Sequence, residues 1–348
     1  MMNKRQLLVL ISFIGVGLGS YFVFYFYQVF FWSNTAFENE ASYVFIDRDD
    51  TIDSLELQLV PLLKSVDRFL LAAEKKGYAT RVRPGKYKLI SEMGNNELIN
   101  TLRSKKLTVS VEFNNQERIE DLAERLAAQL EPSAADFLTA FQEDSFITSN
   151  GFTIENALSM YLPNSYDAYW DTRPQEFREL MLENYHRFWN KSRLAKAKKI
   201  GLTPQEVYIL ASIVHKESIK KEEQARIAGL YLNRLRKKMR LQADPTVIYA
   251  LKIAAGDFDL EIKRVLYEDL KLNSPYNTYK INGLPPGPIA MPDLSAIKAV
   301  LNPETHDFLY FVADPSKPGY HLFAKTLAAH NRNKKAYVDW INKQKIYR

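Results

Sequence analysis

Glu217 is the residue of this chain best placed for acid–base chemistry, because of where its carboxyl falls on a helix. The stretch from Pro204 to Lys216 reads as a helix: Thr203 suits the N-cap, Pro204 the first turn, and Glu206 stands three residues beyond the cap. At about 100° per residue, Val207, Leu210, Ile213 and Val214 share one apolar face. Glu217 continues that face, four residues after Ile213. Ser212, His215 and Lys216 point the other way. A carboxyl drawn out of water has its charged form disfavoured and its pKa raised, as a general acid near neutral pH requires. The same position also suits a structural ion pair, with the helix ending there and Glu217 turned to Lys216, Lys220 or Lys221.

The following stretches supply polar and aromatic groups. Glu223 to Lys238 reads as a helix with Ile227, Leu230, Tyr231 and Leu235 apolar. Asn233 and Arg234 fall near that face and suit capping and core hydrogen bonds for the next loop. Asp244 and Pro245 have the form of a helix start, with Asp at the N-cap. Gln242 and Thr246 flank it, where exposed N–H groups can take a ligand oxygen. Ser274-Pro-Tyr-Asn-Thr-Tyr puts hydroxyls, an amide and two aromatics in one loop, and Gly283-Leu-Pro-Pro-Gly-Pro-Ile follows. Prolines fix the backbone at small entropic loss, so a rigid wall suited to carbohydrate is one reading and a well-ordered structural loop is the other. Phe308 to Ala313 reads as a buried strand. His321, Phe323 and His330 fall in a terminal strand and helix, where a lone histidine is more often structural.

Composition excludes several chemistries. There is no cysteine, which removes disulfides, thiolate catalysis and cysteine zinc sites. His215-Lys-Glu-Ser is not the H-E-x-x-H zinc pattern, so no metal site is expected, nor any cofactor. The Gly-Leu-Pro-Pro-Gly run lacks the N–H groups of a phosphate cradle. With 46% hydrophobic and 25% charged residues the chain is globular. Its 47 Lys and Arg against 41 Asp and Glu give a mild excess of +6, read as spread over the chain. No basic block interleaved with aromatics suggests nucleic acid.

These residues need elements to hold them. An uncharged run from Leu7 to Trp32 follows Lys4 and Arg5 and is long enough to cross a bilayer of about 30 Å. It is too long for a cleavable signal, and Asn34-Thr-Ala is a poor cleavage site. Tyr25, Tyr27 and Trp32 sit where an interfacial aromatic belt would lie. The positive-inside rule places residues 1–6 in the cytoplasm and everything after about Asn34 outside. A strand is expected at Ser42–Ile46, a turn leading into a strand over Arg83–Leu89, and helices at Thr51–Leu63, Val66–Lys75 and Asn95–Ser104. Beyond these come a strand over Thr108–Phe113 and a helix through Ile119, Leu122 and Leu126. Further helices are expected at Ser133–Gln142 and Gln175–Lys198, the last closed by Gly201.

Taken together, several motifs resemble one family. They are Ala211-Ser-Ile-Val-His-Lys-Glu-Ser, Asn233-Arg-Leu, Leu241-Gln-Ala-Asp-Pro-Thr-Val-Ile-Tyr, Ser274-Pro-Tyr-Asn-Thr-Tyr, Gly283-Leu-Pro-Pro-Gly-Pro-Ile-Ala and the closing Tyr310-Phe-Val-Ala, His321-Leu-Phe and His330-Asn. In order and spacing they resemble the YceG-like endolytic murein transglycosylases. The resemblance is sharp over Pro204 to Tyr337 and weaker back to Ser42. It implies an α+β chain: a single transmembrane helix at 7–32, a small LysM-like α+β module at 40–107 and a larger mixed α+β catalytic domain at 108–348.

The resemblance further implies that Glu217 is the catalytic acid. Gln242, Asp244, Thr246, Ser274, Tyr276, Asn277, Tyr279, Pro285 and His321 are then expected to hold the substrate, the glycan strands of peptidoglycan. The family cleaves the β-1,4 bond between N-acetylmuramic acid and N-acetylglucosamine without water, leaving 1,6-anhydro ends. One carboxyl suffices because the attacking C6 hydroxyl belongs to the substrate. Chain termination beside penicillin-binding synthases, at the outer face of the cytoplasmic membrane, is the expected setting. Two departures stand out. His215 replaces the first glutamate of the family's acidic motif, and Leu158-Ser-Met-Tyr-Leu-Pro-Asn-Ser-Tyr lacks the acidic residues and glycine usual there. A muramidase-type hydrolase, with Glu223 or Asp244 as second carboxylate, and an inactive wall-binding scaffold are the competing readings.

Overall fold

The computed structural model describes residues 3–343. The chain divides into two compact units. The first holds the chain up to Val111, with Gln129–Pro132 and Tyr166–Thr172; the second holds Glu112–Ala128, Ser133–Ser165 and the chain from Arg173 on.

In the first unit, α1 (Lys4–Phe31) starts from a reciprocal cap between Asn3 and Gln6. Its 28 residues are long and apolar enough to cross a membrane. Only its last turn is buried, at Val29 and Phe30. Then come β1 (Ala41–Ile46), α2 (Ile52–Leu59), α3 (Val66–Lys75), β2 (Gly85–Ile90), α4 (Asn95–Ser104) and β3 (Lys106–Phe113). The helix expected to reach Leu63 stops at Leu59 and tightens into a 3₁₀ turn over Val60–Leu62, because Pro61 has no N–H to continue it. Strands β1 and β2 pair antiparallel from Ala41 opposite Ile90 to Ile46 opposite Gly85. With β3 and β4 (Asn164–Tyr169) they make a sheet of order β1-β2-β3-β4. Val44, Ile46, Leu55, Phe69, Tyr87 and Leu98 form the core beneath it.

Two asparagines tie α1 to this unit. The Asn95 amide donates to Val29 O at 2.7 Å and accepts from the Asn34 amide at 2.7 Å. Asn34 in turn exchanges hydrogen bonds with the Ser65 backbone at 2.8 and 2.9 Å. Helices α3 and α4 therefore both begin where α1 ends.

The second unit is mostly helical. It contains α5 (Ile119–Ala127), α6 (Ala134–Phe141), α7 (Asp144–Ser149), α8 (Pro174–Phe188), α9 (Lys191–Ile200), α10 (Pro204–Glu217), α11 (Lys221–Arg236), α12 (Asp244–Ala255) and α13 (Leu294–Leu301). It closes with a hairpin of β5 (Tyr310–Ala313) and β6 (His321–Ala324), paired from Tyr310 opposite Ala324, and with α14 (Leu327–Lys343). The single helix expected over Gln175–Lys198 is two. Asn190 interrupts it and caps α9 by accepting the Arg193 N–H at 3.1 Å. Strand β5 is half-buried, not buried, since it belongs to a sheet of only two strands.

Helix α10 packs against α9, α11, α12 and α13, and every residue from Val207 to Val214 is buried. Of the three residues expected to look outward, Ser212 is interior, His215 is partly buried and Lys216 is exposed. Ser212 is fully buried; its hydroxyl donates to Ile209 O at 2.7 Å and accepts the Ile289 N–H at 3.1 Å.

Replacing Asn95 by Ala leaves Val29 O and the Asn34 amide without their partner. The expected loss is about 1–3 kcal/mol of unfolding free energy, measured by denaturation of the full chain in detergent. An unchanged midpoint would show that the asparagine pair does not secure α1.

Candidate active site

Glu217 is the last residue of α10, and Ser218 turns the chain into extended backbone at φ −148°. The carboxyl is only partly exposed, and its Oε1 accepts the Tyr231 hydroxyl of α11 at 2.6 Å. Burial pushes its pKa up, the Tyr231 hydrogen bond pulls it back, and the charge of Asp244 adds to the rise, leaving it at about 7. No lysine pairs with Glu217 among the described residues. Lys216 binds Glu117 at 2.6 Å, shared with Lys252 at 2.8 Å, and Lys220 lies over the Tyr320 ring. The ion-pair reading of Glu217 is thus replaced by a hydrogen bond from a neutral phenol. Burial, then the Glu217 charge, hold the Tyr231 hydroxyl in its protonated form.

Asp244 and Tyr279 lie close enough for their charges to act on this pair, and Gln242 adjoins them in the same loop. Tyr279 donates to Asp244 Oδ1 at 2.6 Å, and burial followed by Asp244 keeps its phenol protonated. With its carboxylate turned to Tyr279, Asp244 is the first helical residue of α12, not its cap; Ala243 holds the cap position. Gln242 is exposed at φ +50°, a left-handed conformation uncommon for a side chain of its kind. It is held there by its N–H to Thr278 O at 3.2 Å and by Arg234, which reaches Gln242 Oε1 at 3.1 Å and Leu241 O at 2.9 Å. Arg234 thus fills the loop-holding role expected for it, whereas Asn233 bonds His306 O and Phe308 O.

Other residues expected at the site lie behind it. Thr246 is fully buried; its hydroxyl donates to Ala243 O at 2.7 Å and meets the Thr278 hydroxyl at 2.8 Å. Asn277 is fully buried, its amide donating to Leu270 O and Leu272 O while its oxygen accepts the Tyr279 N–H. Tyr276 packs its ring 4.9 Å from that of Tyr249, and Ser274 Oγ accepts the Tyr276 N–H. These side chains shape the loop that presents Tyr279. His321 donates its backbone N–H to Glu223 at 3.1 Å and sets its ring Nδ1 3.0 Å from the same carboxylate. Its ring meets Phe311, which in turn meets Tyr231. Pro285 lines a concavity of about 550 Å³ with Thr203, Glu206 and Ile209. That is the opposite end of α10, about 20 Å of helix from Glu217. His215 is largely buried, with Nδ1 3.6 Å from Asp293 Oδ2. Burial first, opposed by Asp293, holds its pKa below the ordinary histidine range.

Sequence reasoning placed Tyr231 in an apolar stripe and missed its role. A signal was available: a tyrosine in such a stripe needs a partner for its hydroxyl. Glu217, at the end of the preceding helix, is a polar group on an apolar face in the same position.

A model of the YceG-like family matches residues 44–336. The endolytic murein transglycosylase of Bacillus subtilis (strain 168) is 42% identical over 150 residues, 43% of this chain and 39% of that protein. The endolytic murein transglycosylase of Streptococcus pneumoniae serotype 2 (strain D39) is 37% identical over 142 residues, 41% of this chain and 25% of that protein. This chain therefore spans well under two thirds of the length of either relative. Among solved structures, a yceG-like protein from Listeria monocytogenes superposes with a TM-score of 0.57 at 26% identity, covering 84% of this chain and 98% of that one.

Two substitutions should move the Glu217 titration in opposite directions. Tyr231→Phe removes a donor that favours the charged form, so the pKa rises; Asp244→Asn removes a repelling charge, so it falls. Any rate that needs protonated Glu217 then persists to higher pH in the first variant and fails at lower pH in the second. Identical pH–rate limbs in both would contradict the assigned geometry. The raised pKa also has a stability sign. Glu217 favours the folded state at acidic pH, and that contribution is lost as pH rises through about 7. Glu217→Gln is accordingly expected to melt at the same temperature as the native chain or higher at pH 8, read by calorimetry.

Proposed function

This chain belongs to the YceG-like family, matched over residues 44–336, and from that premise we propose that it is an endolytic lytic transglycosylase of peptidoglycan. The observation that carries the proposal is the carboxyl of Glu217, held near a pKa of about 7 beside a protonated phenol. Such a group is present in both protonation states at neutral pH, as a single acid–base residue must be. The substrate is the β-1,4 bond between N-acetylmuramic acid and N-acetylglucosamine. Tyr231 donates to Oε1, which directs the carboxyl proton to Oε2 and toward the leaving glycosidic oxygen. The resulting carboxylate then takes the proton from the C6 hydroxyl of the muramic acid, which attacks its own anomeric carbon. The product is a 1,6-anhydro end, and no water is consumed. An internal nucleophile held in place is worth about 10⁵ M or more of an external one, which is why no second carboxylate is required.

Gln242, Asp244 and Tyr279 orient the sugars. Helix α1 anchors the chain as a single span with its N-terminus in the cytoplasm, which puts the site outside, close to emerging glycan strands. Residues 40–107 form a LysM-like module between anchor and catalytic domain. The role is termination of nascent strands beside penicillin-binding synthases. A hydrolytic reading rests on Asp244, whose charge reaches Glu217 and whose carboxylate is exposed. It calls for water at the anomeric carbon.

Digestion of isolated sacculi by the full chain in detergent separates these. Muropeptide masses lacking one water, with no label taken up from isotopically labelled water, are expected. Glu217→Gln should reduce their formation by about 10²–10⁴-fold. Reducing ends carrying the label would establish hydrolysis instead.

A further inference from the structure

The basic excess of this chain is not spread along it, as the overall balance suggested. Residues 75–106 hold nine Lys or Arg against two Glu, a net +7, while the whole chain is +6 and the remainder therefore −1. Folding gathers part of this charge around a concavity of about 500 Å³ in the first unit, lined by Lys76, Gly77, Thr80, Arg81, Arg83 and Arg103. None of the four cations forms an ion pair among the described residues.

Internal hydrogen bonds account for only part of their donors. Lys76 Nζ donates to Asn96 and Asn100 at 2.6 and 2.7 Å. Arg83 donates to Arg103 O at 2.8 Å, and Arg103 donates to Lys76 O. A guanidinium has five N–H groups, so most of each fork is left over, and the Arg81 side chain donates none within the described residues. Burial, then the Arg103 charge, hold the Lys76 ammonium below its usual range, which marks the cations as mutually repelling and short of an anion.

Position within the unit narrows the choice of anion. Helices α3 and α4 both start at the Asn34–Asn95 junction with α1 and finish at this concavity, at Lys76 and Arg103. Each has ten residues, so the cluster stands about 15 Å from that junction. That exceeds the Debye length of about 8 Å at physiological salt. An anion reaching it need not lie where α1 joins the unit. Arginine forks match phosphate oxygens in bidentate fashion. We propose that the Arg81, Arg83 and Arg103 concavity binds a polyanion bearing phosphate groups. This depends on no catalytic assignment, because its test reads binding alone.

The test uses the full chain in nanodiscs of zwitterionic lipid, titrated with fluorescent inorganic polyphosphate as the probe. Binding that weakens steeply with salt is expected. Arg81→Glu combined with Arg83→Gln should reduce affinity by about tenfold or more. Arg81→Glu alone, at a side chain with no internal bond, should weaken binding with unchanged melting. Lys196→Gln with Lys199→Gln, in the other unit, should leave binding as it was. Equal affinity in the Arg variants, equal loss in the lysine variant, or equally tight binding of neutral chitin fragments would overturn the proposal. So would loss of polyphosphate binding in nanodiscs containing phosphatidylglycerol, which would identify a lipid headgroup as the occupant.

Discussion

Everything at the candidate site depends on one hydrogen bond, from the Tyr231 hydroxyl to the Glu217 carboxyl, made where a buried helix ends. Glu217 closes α10, at the negative end of the helix dipole, where a carboxylate is disfavoured by roughly 0.3–1 kcal/mol. Burial acts in the same direction, and so does Asp244. A single phenolic donor opposes all three. The balance keeps the proton on Glu217 more tightly than on an ordinary carboxyl, yet loosely enough to be given up near neutral pH. A lysine in place of the tyrosine would fix the carboxylate in its charged form and remove the acid.

The surrounding fold keeps that balance from drifting. Four helices surround α10, so its last turn cannot rotate Glu217 away from Tyr231 without disturbing a close-packed interior. Buried Ser212 extends the same rigidity to the proline-rich loop by taking the Ile289 N–H. That loop passes so close to Glu155 that a Cβ on Gly287 would stand 1.9 Å from the Glu155 carbonyl oxygen. Only glycine allows that approach. Thr246, Thr278 and Asn277 fix the segment carrying Tyr279 from behind. Rigid walls of this kind are what the proposed intramolecular attack needs, because its advantage lies in holding one geometry.

Much of this was readable from residue order. Thr203, Pro204 and Glu206 marked the start of α10, and the apolar stripe ending in Glu217 located the carboxyl. Two helices of the first unit have the bounds expected for them, Val66–Lys75 and Asn95–Ser104. What could not be read was tertiary. A stripe does not say whether the opposite face is also covered, so Ser212 was turned outward when it is interior. Asp-Pro is a strong helix-start signal, but a nearby phenol drew Asp244 away from the cap. Nor could the sequence show that Thr246 and Asn277, expected to hold sugar, are buried and hydrogen-bonded to the loop itself. The concentration of charge in residues 75–106 was present in the sequence but hidden by a whole-chain average.

The most direct test of the central claim is the titration of Glu217 itself. Infrared difference spectra of the full chain, recorded across pH and compared with those of Glu217→Gln, isolate one carboxyl stretch. A protonated carboxyl band that persists above pH 6, titrates near 7 and is missing from the variant is the expected result. If every carboxyl has lost its proton by about pH 5, the ordinary range for an exposed glutamate, then Glu217 is not held as described and cannot serve as the acid.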